Sequence, residues 1–558
     1  MVKVMNMKHK RLGELLLDAG WITSEQLAQA LAVQKQTGER LGEIMVRQGW
    51  VTEKQLLEMF EIQLGIPRVD LERYPIDPEG LELVPEDVAR RYHVLPIRLQ
   101  GDRLTVAMVD PVDFFTIDHL AMITKKEIEP VMAGKRDLER AIDRHYGLEE
   151  SVAEVLRNVQ PDEIDLHEVS AEDAPVVKLV NQLIEQAADQ RASDIHFDPQ
   201  QNEMVVRFRI DGVLHTKMRF PKHLRPILTA RLKIMANLDI AERRLPQDGR
   251  IQMPVRDRVI DIRVAVLPTI FGEKVVLRLL DPQQTLTRLE TLGFTDTNYR
   301  AFVRMIEAAN GIVLVTGPTG SGKTTTLYAA LQRLNTESVN IITVEDPVEY
   351  QLEGINQVQV NAAIGLTFAA GLRSILREDP DIIMVGEIRD EETAEIAVRS
   401  ALTGHLVLST LHTNDVPSTI DRLVDMGIPP YLLASTLRGI VAQRLVRRIC
   451  PECKEAYEPL PEEMALLKEH GFSVTQLWRG RGCPLCNQTG YRGRLALHEV
   501  LPVQREVRRF ILERQPAETY RQWGQEHGYD SMLADGLRKV AAGETTIPEV
   551  LKVVLLEV

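Results

Sequence analysis

Gly311-Ile-Val-Leu-Val-Thr316 runs directly into Gly317-Pro-Thr-Gly-Ser-Gly-Lys-Thr324, and Thr324-Thr-Thr-Leu-Tyr-Ala-Ala-Leu-Gln332 follows. The first piece has the short apolar character of a strand buried in a parallel sheet. The last reads as a helix. Strand, glycine-rich loop and helix, in that order, is the context a phosphate-holding loop requires. Backbone N–H groups of Gly320 to Lys323 can surround a β-phosphate at the helix N-terminus. Lys323 neutralises β/γ charge, and Thr324 can hold Mg2+. ATP is therefore the expected ligand, with Gly317, Pro318, Thr319, Gly320, Ser321, Gly322, Lys323, Thr324 and Thr325 as its loop. The competing reading is a chance match in an ordinary loop, and the flanking strand and helix argue against it.

Three later segments extend the expectation. Asp381-Ile-Ile-Met-Val-Gly-Glu387 has a carboxylate on each side of an apolar strand. Glu387 is expected to activate the attacking water, and Asp381 to support the strand end or the metal shell. The plain alternative is a capping Asp and a solvated Glu. Ile341-Ile-Thr-Val-Glu-Asp-Pro-Val-Glu349 is a strand ending in Glu345, Asp346 and Glu349. In Thr403-Gly-His-Leu-Val-Leu-Ser-Thr-Leu-His-Thr-Asn414, His405 and His412 bracket another strand. Either a γ-phosphate sensor or a structural pair fits them.

With 558 residues the chain is too long for one core, and three or four domains are expected. A formal charge of -14 and 5% aromatics argue against general nucleic-acid binding and base stacking. No apolar run approaches the ~18–20 residues that cross a bilayer, and no secretory signal opens the chain. A cytoplasmic protein, able to dock on a membrane through a partner, is the default expectation.

The N-terminal region repeats itself. Arg11–Gln34 (RLGELLLDAGWITSEQLAQALAVQ) and Arg40–Gln63 (RLGEIMVRQGWVTEKQLLEMFEIQ) are offset by 29 residues. Thr23 with Gln26, and Thr52 with Gln55, form capping boxes. Each unit therefore reads as a helix, a glycine turn and a capped second helix, which suits a small helical docking module. The doubled RLG…G…LxxxLxxQ pattern also resembles the cyclic di-GMP-binding N-terminal domain of pilus and secretion ATPases, with Met45 and Phe60 as mild departures. An arginine can fork onto a guanine edge or a phosphate, and glycine lets a flat ligand approach backbone. The resemblance implies a ligand set of Arg11, Leu12, Gly13, Gly20, Gln34, Arg40, Leu41, Gly42, Gly49 and Gln63.

The four central segments together, in this order, resemble the secretion-superfamily ATPases, the motors of type II secretion and type IV pili. In that family they are the Walker A loop (317–324), aspartate box (341–349), Walker B strand (381–387) and histidine box (403–414). Upstream, Ala192-Ser-Asp-Ile-His-Phe-Asp-Pro199, Arg207-Phe-Arg-Ile-Asp-Gly212 and Arg244-Leu-Pro-Gln-Asp-Gly-Arg250 look like the family's second N-terminal domain, with Asp198 where Glu is usual. By that resemblance Arg209, Arg263 and Arg278 reach the phosphates as domains close, and Arg444 lies near base and ribose.

All four cysteines fall in two pairs, Cys450-Pro-Glu-Cys453 and Cys483-Pro-Leu-Cys486. Four thiolates complete a closed tetrahedral Zn2+ site, so a structural metal is expected; a redox pair is the alternative.

The expected fold is α/β and multidomain. A tandem-repeat module (1–66) and a small α/β domain (67–147) come first, then an acidic linker (148–173). A second, arginine-bearing, PAS-like α/β domain (174–288) precedes a P-loop, RecA-like ATPase domain (289–558). The last carries a zinc insert (447–495) and C-terminal helices (502–558). The resemblance implies a homo-hexamer that powers pilus assembly through an inner-membrane platform protein and a pilus alignment complex, with no direct nucleic-acid contact. Type II secretion, a nucleic-acid translocase and a cyclic di-GMP receptor with a vestigial motor are its rivals.

Overall fold

The computed structural model describes residues 12–38, 41–64, 66–71, 74, 76–143, 146, 174–255, 258–280 and 288–554. The expected linker at 148–173, Arg11, Arg40 and the side chain of Gln63 lie outside the described residues. Among the described residues no helix is long and apolar enough to cross a membrane.

Each repeat unit is a helix pair, Leu12–Asp18 with Ser24–Thr37 and Leu41–Arg47 with Glu53–Leu64. Both capping boxes form. Thr23 N donates to Gln26 Oε1 at 2.8 Å and Gln26 N to Thr23 Oγ1 at 3.2 Å; Thr52 and Gln55 repeat this at 2.9 and 3.3 Å. The first helix of each unit packs on the second helix of the other, which closes a common core of Leu15, Leu16, Ala30, Ile44 and Met45. The glycines have structural causes. Gly13 and Gly42 are buried, and a Cβ on them would stand 2.6 Å from Leu27 Cδ1 and 2.8 Å from Leu56 Cδ2. They permit close helix packing. Gly20 and Gly49 have φ of +70° and +71°, a turn conformation L side chains resist. Leu12, Leu41 and Gln34 are half-buried.

The next domain is a three-stranded sheet of β1 (Val94–Gln100), β2 (Arg103–Met108) and β3 (Glu127–Met132), in that order. The β1–β2 pair is antiparallel and β2–β3 parallel, with the helix Phe114–Thr124 making the crossover. β1 begins at Val94, because Tyr92 ends a helix that His93 caps in the left-handed region at φ 48°.

The second N-terminal domain is a six-stranded antiparallel sheet. Its strands are β4 (Asp194–Pro199), β5 (Glu203–Ile210), β6 (Val213–Pro221), β7 (Gln247–Val255), β8 (Arg258–Thr269) and β9 (Gly272–Leu280). Their order is β6-β5-β4-β9-β8-β7. Helix Ala174–Asp189 lays Val176, Leu179, Val180, Leu183 and Ile184 into its core. This spacing is one apolar stripe of a helix.

The motor follows with β10 (Gly311–Thr316), β11 (Ile341–Glu345), β12 (Asn356–Gln359), β13 (Ile382–Val385), β14 (Leu406–Leu411) and β15 (Leu437–Ile449). An insert carries the ribbon β16 (Lys454–Tyr457) and β17 (Leu477–Gly480), and β18 (Tyr491–Pro502) returns to the main sheet. The sheet order is β12-β11-β13-β14-β10-β15-β18, parallel except for β18. Every residue of β10, β11, β13 and β14 is buried, with apolar clusters on both faces, as a parallel sheet between helices demands. Four helices close the chain: Arg505–Glu513, Ala517–Glu526, Met532–Ala541 and Ile547–Val554. The parallel arrangement places the ends of β10, β11, β13 and β14 along one edge, where open α/β sheets bind ligands.

Candidate functional site

The glycine-rich loop leaves β10 and enters helix Lys323–Leu334 at Gly322. Gly317 (φ +149°) has Gln443 O 2.4 Å from where a Cβ would sit, and Gly322 (φ +87°) has Gln443 Nε2 at 2.8 Å. No side chain fits either position. Gln443, on the neighbouring β15, clamps the loop: its Nε2 donates to Ser321 O at 2.8 Å and its Oε1 accepts from Thr326 Oγ1 at 2.7 Å. Lys323 Nζ donates to Gly317 O at 2.7 Å and to Pro318 O at 3.1 Å. Burial pushes its ammonium down to about 8, Glu387 pulls it up and Arg444 pushes it down. Ser321 Oγ is buried without a hydrogen-bond partner beside this lysine. Thr324 is half-buried in the first helical turn, so its hydroxyl suits Mg2+ at that place.

Glu387 follows β13 at the same edge and is only 8% exposed. Its Oε1 pairs with the Arg389 guanidinium. Its Oε2 lies 3.3 Å from Nε2 of His412, which follows β14. Thr316, at the end of β10, donates to Leu411 O at 3.1 Å and Thr413 O at 3.0 Å, tying the loop to the histidine segment. Glu345 ends β11 but turns inward. It accepts from Thr343 Oγ1 at 2.6 Å, from Gln357 Nε2 at 3.1 Å and from the Tyr328 hydroxyl. Burial and that carboxylate hold the Tyr328 phenol well above its usual range. Asp346 is exposed beyond the strand.

Two expected residues stand elsewhere. Asp381 and His405 precede β13 and β14, so they lie at the opposite edge of the sheet. Six residues separate Asp381 from Glu387, ~20 Å along an extended chain. Asp381 accepts from Asn340 N at 2.7 Å, so it supports the strand end, and a place in the metal shell is ruled out by distance. His405 Nδ1 sits 2.9 Å from Ser400 O and 3.2 Å from Thr403 Oγ1. It finishes the preceding helix, far from any γ-phosphate, and leaves His412 as the only one of the pair at the site.

The arginines also separate. Arg263 crosses to the motor: it donates to Val348 O at 2.7 Å and pairs with Glu349 at 2.9 Å. Arg209 and Arg278 flank Asp194 of their own sheet at 3.6 and 3.0 Å, and Arg209 donates to Gly212 O at 3.0 Å. Arg444 is buried under the loop. It donates to Asn414 O at 2.8 Å and to Gln443 O at 3.1 Å, bracing the loop and the histidine segment together.

The four cysteine sulfurs converge within 4.8 Å of one another. Cys450–Cys483 and Cys453–Cys486 are 3.8 Å apart, and Cys483–Cys486 3.7 Å. Thiolates ~2.3 Å from a tetrahedral Zn2+ have S···S edges of ~3.8 Å, so the set fits that ion. Cys483 N and Gly490 N each donate to Cys486 Sγ at 3.2 Å, the outer-shell support such a site uses.

Residues 169–552 match the family model described as type II/IV secretion system protein, and residues 64–152 match the MshEN domain. The second match begins where the repeat ends and falls on the three-stranded domain. The type IV pilus assembly ATPase PilB of Myxococcus xanthus is 46% identical over 554 residues, covering 97% of this chain and 98% of that protein. The type II secretion system protein E of Xanthomonas campestris pv. campestris is 43% identical over 558 residues, with 97% and 98% covered. The solved ATPase DotB of Legionella pneumophila aligns with a TM-score of 0.51 at 24% identity, over 68% of this chain and 95% of that one, a likeness of fold.

Proposed function

Because the chain belongs to the type II/IV secretion system protein family, we propose that it is the ATPase that powers type IV pilus assembly. The observation that carries the reading is the meeting of loop, Glu387 and His412 at one sheet edge, in a chain nearly half identical to a pilus assembly ATPase along its whole length. Lys323 would exchange its loop carbonyls for the phosphates, whose charge restores the ammonium that burial disfavours. Thr324 would hold Mg2+, which supplies charge neutralisation between the phosphates. Glu387 orients the attacking water and accepts its proton. Arg263 of β8, whose guanidinium meets Val348 O and Glu349, would report domain closure to the site, while Arg209 and Arg278 would have to leave Asp194 to join it. A homo-hexamer at the cytoplasmic face of the inner membrane, working through a platform protein and an alignment complex, completes the reading.

Deleting the gene is expected to abolish surface pili, with rescue by the wild type and none by Lys323→Ala. Intact pili with lost protein export would transfer the assignment to type II secretion, which the full-length likeness to a secretion protein makes the natural second reading.

Regulation by cyclic di-GMP belongs to the same proposal, supported by the doubled RLG pattern and the adjoining MshEN match. Calorimetry should detect cyclic di-GMP binding that Arg11→Ala or Arg40→Ala weakens roughly tenfold or more, the usual effect of removing a charged hydrogen bond. No binding, or binding indifferent to both changes, returns the repeat to a docking module.

A further inference from the structure

Arg389 is two residues past Glu387, and its guanidinium meets Glu387 Oε1. The two ends of this pair differ. The Arg389 side chain is 63% exposed, while that of Glu387 is 11% exposed. Most exposed ion pairs do little. Here one member is a carboxylate lifted out of water, where an unpaired charge is costly. Its other oxygen faces His412 at 3.3 Å. Lys323 acts on it through space from the helix, and Asp346 acts on Arg389 from the β11 loop. A carboxylate offers about four lone-pair directions, so an arginine on one oxygen leaves acceptor positions for a water.

We propose that Arg389 is a positioning residue for the hydrolytic step: by gripping one oxygen of Glu387 it fixes the rotamer of that carboxylate, with the remaining lone pairs turned to the attacking water. The role rests on the reading of Glu387 as the base. Exposure makes the guanidinium dispensable for packing, so its replacement leaves no cavity. Its loss removes the nearest cation from a buried carboxylate and releases the rotamer that the ion pair holds.

Full-length wild type, Arg389→Gln, Arg389→Lys and Glu387→Gln should be compared by steady-state ATP hydrolysis, with thermal unfolding alongside. Arg389→Gln is expected to lower kcat by roughly 10- to 100-fold with KM within about twofold, the pattern of an interaction that matters in the transition state. Arg389→Lys should recover most of the rate. Arg389→Gln with the wild-type rate overturns the proposal. So does a loss of kcat/KM carried by a raised KM with kcat unchanged. A Glu387→Gln protein with normal turnover removes the base itself and this role with it. Inactive Glu387→Gln beside normal Arg389→Gln removes Arg389 alone.

Discussion

Glu387→Gln is expected to keep nucleotide binding and to lose about three orders of magnitude in turnover, within the range a positioned general base contributes. Glutamine has nearly the same shape, so the end of β13 and the packing around it should persist. It keeps an acceptor for Arg389 or a donor for His412, and it loses the charge that takes a proton from water. The loop, Lys323 and the Gln443 clamp are untouched, so the affinity for nucleotide should hold. Equilibrium binding of a fluorescent ATP analogue and initial rates of phosphate release measure the two halves of the statement. Asp381→Asn is the natural control. It lies at the other end of the same strand, where it caps Asn340 N, and its turnover should stay within about twofold of wild type. Near-normal turnover by Glu387→Gln takes away its assigned role, and equal damage from both changes means that the strand, not the carboxylate, was being measured.

That contrast also marks what the sequence could disclose. The loop was legible because its parts are contiguous: a buried strand, glycines at φ values only they tolerate, and a helix start. Asp381 and His405 look equivalent to Glu387 and His412 until strand direction is applied. In a parallel sheet only residues that follow a strand share the edge with the loop, so the two that precede theirs were never candidates for the phosphates. The RLG glycines were visible, but their cause was a leucine 14 residues further on, Leu27 for Gly13 and Leu56 for Gly42. Other features depended on pairings between distant segments. Gln443 reaches the loop only because β15 lies beside β10. Arg209 and Arg278 share Asp194 because β5 and β9 flank β4 in register. Arg389 was the nearest miss, two residues from an acid already singled out and overlooked because an exposed arginine carries no signal of its own.

The zinc insert carries the other large expected effect. Between the end of β15 and the start of β18 the chain has little to bury: a short two-stranded ribbon, the helix Pro461–Glu469 and the cysteines themselves. Leu467 and Leu477 are its main anchors in the larger core. A fully buried leucine contributes ~1.5–3 kcal/mol, whereas a four-thiolate zinc site contributes on the order of 10 kcal/mol to folding such a piece. The metal should therefore decide whether the insert is ordered. The purified protein is expected to hold one zinc per chain by elemental analysis. Stripping it with a tight chelator, or introducing Cys486→Ser, should expose the ribbon to limited proteolysis between Lys454 and Cys483 well before any cut in the motor sheet. Cys486 is the most sensitive of the four positions, because its sulfur also receives the N–H groups of Cys483 and Gly490, and a shorter serine oxygen would leave both unsatisfied. Nucleotide binding should survive, since Gln443 sits upstream in strand that is paired to β10 and does not depend on the ribbon. A protein that carries no metal when purified under reducing conditions, with Cys486→Ser as protease-resistant as wild type, would mean that these sulfurs meet for packing alone, and the order of the insert would have to come from its contacts with the C-terminal helices, where Lys454 lies over the Trp478 ring beside Gly543.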